Sequence, residues 1–90
     1  MNKELRLNID KETARGQYAN VAVISHTRNE FFLDFALVQP SGDAMVVSRI
    51  LSSPQHAKAL LRSLAENIRR YEETFGPIPE PVAGEGEASA

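Results

Sequence analysis

Two parts of this chain do not balance. Residues 18–51 read as strands that are apolar on both faces, and a single amphipathic helix over residues 54–75 follows them. One helix covers one face of a small sheet. The other face has to find cover elsewhere, most simply on a second copy of the chain. The pattern points to an assembly before it points to any chemistry.

The strand reading rests on composition and punctuation. Leu5, Leu7 and Ile9 alternate with polar residues, as a half-exposed edge strand would. Residues 10–17 (DKETARGQ) form a polar connector with Gly16 at its turn. Residues 18–25 (YANVAVIS), 30–39 (EFFLDFALVQ) and 43–51 (DAMVVSRIL) are β-rich and separated by short loops, which implies an antiparallel meander. Gly42 suits a three-residue hairpin loop, where a positive φ is usual.

Pairing Ser25 with Glu30 and Gln39 with Asp43 assigns the faces. One carries Tyr18, Ala22, Ile24, Phe31, Leu33, Phe35, Leu37, Met45, Val47 and Leu51, with Arg49 among them. The other carries Val21, Val23, Phe32, Val38, Val46 and Ile50, with Asp34 and Ser48 at its centre. A slip or a bulge would exchange parts of these sets without making either face polar.

Helix signals are the clearest in the chain. Ser53 can cap the first turn, Pro54 suits the first helical position, and Gly76 with Pro77 and Pro79 ends the run. Ala57, Leu61, Leu64, Ile68, Tyr71 and Phe75 form one stripe, widened by Leu60 and Ala65. The stripe is expected to pack on the bulkier sheet face through Leu61, Leu64 and Ile68, with a helix–helix seam between copies as the alternative. The expected fold is therefore α+β: an antiparallel β-meander of three core strands plus an N-terminal edge strand, followed by one C-terminal amphipathic helix packed on one sheet face. Residues 1–78 make the domain. Residues 79–90, rich in Pro, Gly, Ala and Glu, read as a disordered tail.

Composition excludes several kinds of chemistry. The 90 residues contain no cysteine, so there are neither disulfides nor thiolate metal sites. His26 and His56 have no ligand spacing around them. Nucleotide-binding, nucleophile-elbow and zinc-protease motifs are absent, and no cofactor, metal or catalytic group is expected. A net charge of −2 argues against nucleic-acid binding, since Glu66, Glu72 and Glu73 interleave with Arg62, Arg69 and Arg70. No apolar run reaches membrane-spanning length, and a cytoplasmic location is expected.

Three polar residues in or beside the strands require explanation. Asp34 sits inside an apolar segment and needs a hydrogen-bonding partner; the assumed register offers Ser48. Arg49 can pair with Glu30, with Asp34 across a bulge, or with a second copy's Glu. His26, in a Ser-His-Thr-Arg-Asn turn, ordinarily closes that turn. An anion or ligand contact would require His26, Asp34 and Arg49 to converge. The candidate interface is Val21, Val23, Phe32, Asp34, Val38, Val46, Ser48 and Ile50, and no catalytic set accompanies it.

Residues Tyr18-Ala19-Asn20, Val23-Ile24-Ser25-His26, Glu30-Phe31, Leu33-Asp34-Phe35, Ser48-Arg49-Ile50 and Ser53-Pro54-Gln55-His56-Ala57-Lys58 carry a resemblance. So do Pro40, Asn67-Ile68, Tyr71-Glu72 and Phe75-Gly76. Together they are similar to a small prokaryotic family known only as domain of unknown function 3467, whose members often have Thr-Pro-Glu-His-Ala-Lys at 53–58. That resemblance implies an architecture and transfers no site. In outline alone the arrangement also resembles the export chaperone SecB. The expected function is a non-enzymatic homodimer or higher homo-oligomer acting as an interaction or adaptor module for a protein partner. A holdase chaperone that binds unfolded polypeptide on the apolar sheet is the first alternative, and a small-ligand-binding protein the second.

Overall fold

The local rules for turns and caps decide where each element starts and stops. A computed structural model describes residues 4–81 and 87–89. In chain order they form α1 (Lys11–Arg15), β1 (Val21–His26), β2 (Phe31–Val38), β3 (Ala44–Ser52), α2 (Pro54–Phe75) and β4 (Glu87–Ser89). The strands make one sheet in the order β3-β2-β1-β4, with β1, β2 and β3 antiparallel and β4 parallel to β1. The α+β class and the three-strand meander followed by a helix are as the sequence predicts.

Each hairpin is closed by its own polar residues. At the first turn the Thr27 N–H donates to the Glu30 carbonyl at 2.9 Å, while the Thr27 hydroxyl accepts from the Asn29 and Glu30 N–H groups. The second turn closes where the Gln39 N–H donates to the Asp43 carbonyl. There Gly42 takes φ 95°, a conformation costly for any residue with a Cβ. Ahead of β1, the Asn20 side chain stands in for a strand partner. Its Oδ1 accepts from the Val38 N–H at 2.8 Å and its Nδ2 donates to the Val38 carbonyl at 3.2 Å.

The register differs from the simplest pairing in one decisive place. Val38 pairs with Ala44 and Ala36 with Val46, as the Gln39–Asp43 closure implies, but Phe35 then pairs with Ser48. Val47 is the extra residue of a β-bulge. Beyond it every β3 side chain changes face, so Asp34 lies opposite Arg49 rather than Ser48, and Ile50 joins Leu33. Against β1 the pairing is offset by two residues from the expected one, Ser25 meeting Phe32, which leaves the faces unchanged.

α2 spans Pro54–Phe75 as read from its caps. The Ser53 hydroxyl accepts from the His56 N–H at 3.1 Å, and Gly76 leaves the helix at φ 99°. Glu66 binds Arg69 and Arg70, and Arg69 also reaches Glu73, along the polar side. Past the helix end, the Ile78 N–H donates to the Glu72 carboxylate at 2.8 Å, drawing the chain back over the last turn.

Four expectations require correction. Leu5, Leu7 and Ile9 form no strand; they lie exposed in irregular backbone, and β4 takes the place beside β1. Within the polar connector, Asp10 caps a one-turn helix, α1, by accepting from the Thr13 N–H at 2.8 Å. The segment 79–90 is not without structure, since Glu87–Ser89 is β4; residues 82–86 and 90 lie outside the described residues. Most important, α2 does not lie down on the sheet. None of its side chains is buried, and Leu61, Leu64 and Ile68 remain 68%, 56% and 41% exposed.

The reason is visible at the hinge. Only Ser53 separates β3 from α2, and its backbone is extended at φ −71°, ψ 157°. Connections that turn a helix back over its own sheet ordinarily use about 2–6 residues. Without that reversal the molecule spreads to 50 × 35 × 32 Å. Among the described residues only Leu33 and Ala36 are buried apolar side chains.

Candidate functional site

The most organised polar feature is the cross-strand pair that the bulge creates. The Arg49 Nε donates to Asp34 Oδ1 at 2.6 Å and Nη2 to Oδ2 at 2.9 Å, a two-pronged match of guanidinium to carboxylate. The guanidinium carbon also sits 5.4 Å from the centre of the Phe32 ring. Asp34 is buried at 8% exposure, whereas the Arg49 side chain is 58% exposed. Hydrogen bonding from Arg49 holds the Asp34 carboxyl below its ordinary value, opposed by burial and helped by the charge of Arg49. The same pairing raises Arg49. Both carboxylate oxygens are therefore committed to one cation. An acid or base so committed is poorly suited to proton transfer.

Strand parity places the remaining candidates. Val21, Val23, Phe32, Asp34, Val38 and Val46 share one face, joined by Arg49 and Leu51. Ser48 and Ile50, predicted among them, fall on the opposite face because the bulge precedes them. That second face carries Ile24, Phe31, Leu33, Phe35, Leu37, Met45 and Ile50, which have no ion pair among them. His26 belongs to it and stacks on Phe31 with ring centres 5.4 Å apart. His26, Asp34 and Arg49 thus do not converge: the sheet lies between the first and the other two.

An open depression of about 660 Å³ lies between α1 and the bulge, lined by Glu12, Thr13, Arg15, Gln17, Ala19, Phe35, Val47 and Ser48. Glu12 and Arg15 approach each other at 3.7 Å and are exposed, so neither presents a buried polar group to a ligand. His56 only contributes its backbone to the α2 cap. Among the described residues no three His, Asp or Glu side chains come together as metal ligands would. Nor is any described helix long and apolar enough to cross a membrane.

Asn20 as the clamp on Val38 was not among the sequence candidates; the assumed register set Ser48 opposite Asp34, and the option of Arg49 reaching Asp34 across a bulge is the one the structure takes. A lone Asn just before a strand was the available signal for the first. For the second, a strand-buried carboxylate needs a stronger partner than a hydroxyl, which favours Arg49 over Ser48.

No curated protein matches the chain, and no solved structure does. A family's sequence model covers residues 1–80, from the exposed N-terminal arm through α2 and its Pro-rich exit. By that match the chain belongs to the family described as protein of unknown function (DUF3467).

Proposed function

We propose that this protein is a non-enzymatic homo-oligomer that serves as an interaction module. One observation carries the reading: a folded sheet and a 22-residue helix are held in a chain whose buried apolar residues are Leu33 and Ala36 alone among those described. A helix without tertiary packing is marginal in water. A domain of this size needs most of its apolar surface covered to offset the ordering of its backbone. The missing cover is supplied by a second copy.

The face around Asp34 and Arg49 suits a more selective role. Its apolar residues, Val21, Val23, Phe32, Val38, Val46 and Leu51, surround a fixed ion pair that favours a partner of matching polarity over indiscriminate apolar contact. Light scattering at low micromolar concentration tests the assembly. A mass of two or more chains is expected, and a stable folded monomer would defeat the reading. The open apolar sheet also supports holdase activity as a second reading. ATP-independent suppression of a client's aggregation at equimolar ratio supports it, and no effect counts against it.

A further inference from the structure

We propose that the homo-oligomer is built by exchange of α2, the apolar stripe of each helix lying on the partner copy's sheet over the face that carries Ile24, Phe31, Leu33 and Ile50. This rests on the homo-oligomeric reading and specifies its geometry. The one-residue extended connector at Ser53 directs the helix away from its own sheet, and short hinges of this kind favour exchange between copies.

Dimensions agree. From Ala57 to Phe75 the stripe runs about 27 Å at 1.5 Å per residue. β2, at eight residues, extends about 26 Å. The helix can therefore cover the sheet along its central strand. A helix–helix seam between copies would leave both sheet faces uncovered.

The choice of face follows from charge. Burying the Asp34–Arg49 side under an apolar stripe would strip water from an arginine that is now more than half exposed. Across the sheet, Ile24, Met45 and Ile50 are exposed and Phe31, Phe35 and Leu37 half-buried, with no ion pair among them.

Area is sufficient. The chain exposes 8365 Å², against about 5,200 Å² for a compact monomer of its mass, 9.9 kDa. The excess, about 3,000 Å², exceeds the roughly 800 Å² per partner of a standard interface, even after allowing for the extended arm at Leu5, Leu7 and Ile9.

Isotope-filtered NMR on a dimer refolded from an equimolar mixture of ¹³C-labelled and unlabelled full-length chain tests the exchange. Cross-peaks between copies are expected from the Leu64 and Ile68 methyls to Ile24, Phe31 and Ile50. If those cross-peaks arise only within one copy, the exchange is overturned while the homo-oligomer stands. Cross-peaks between copies that join the two helix stripes, or that lead to Val23, Val46 or Leu51, also overturn it. A monomeric mass defeats both the exchange and the reading beneath it.

Discussion

Leu64→Ala separates a solitary helix from a covered one. In a single chain Leu64 is 56% exposed, so truncation removes less than half of a leucine's burial. That loss is about 1 kcal/mol or less, partly offset by the better helix propensity of alanine. In the exchanged dimer Leu64 sits mid-stripe between Leu60, Leu61 and Ile68 and is covered. Truncation of a covered leucine costs about 2 kcal/mol or more in each copy. Symmetry doubles it to about 4 kcal/mol, a dissociation constant roughly a thousandfold weaker. Sedimentation of parent and variant through a dilution series reads that constant. A variant whose dissociation constant stays within about threefold of the parent would refute the covered helix.

Other consequences follow from particular residues. Asn20→Ala removes both hydrogen bonds to Val38 and should lower stability by about 1 kcal/mol, read as a lower denaturant midpoint. Hydrogen bonding from Arg49 holds Asp34 below the usual aspartate value of about 4, so its pairing contributes fully above that pH and is lost as pH falls through the depressed native value. Asp34→Asn should therefore lower stability at neutral pH and flatten the acid limb of a stability–pH curve; an unchanged curve would exclude the pair as a contributor. Inserting a flexible Gly-Ser segment of about six residues after Ser53 should let α2 fold back on its own sheet, halving the mass seen by light scattering.

The legibility of this chain differs from element to element. α2 was readable to its ends because Ser53, Pro54 and Gly76 are local signals that act on the backbone beside them. Gly42 fixed the second hairpin for the same reason. The bulge at Val47 was not readable, since two consecutive valines suit either face and only the pairing with Phe35 and Ala36 shows which is extra. That single residue moved Arg49 onto Asp34 and took Ser48 and Ile50 from the predicted interface. Leu5, Leu7 and Ile9 alternate as a strand does, but alternation does not supply a neighbour to pair with. Nor could periodicity say where the α2 stripe lands: it marks a face to be covered and is silent on which copy covers it.

Thermal unfolding followed by far-ultraviolet circular dichroism at protein concentrations spanning two decades tests most directly whether this fold depends on a second copy. If each copy completes the other, the midpoint rises with concentration, and helix and assembled mass are lost together on dilution. A midpoint independent of concentration, with full helix content at the mass of one 9.9 kDa chain, would contradict it.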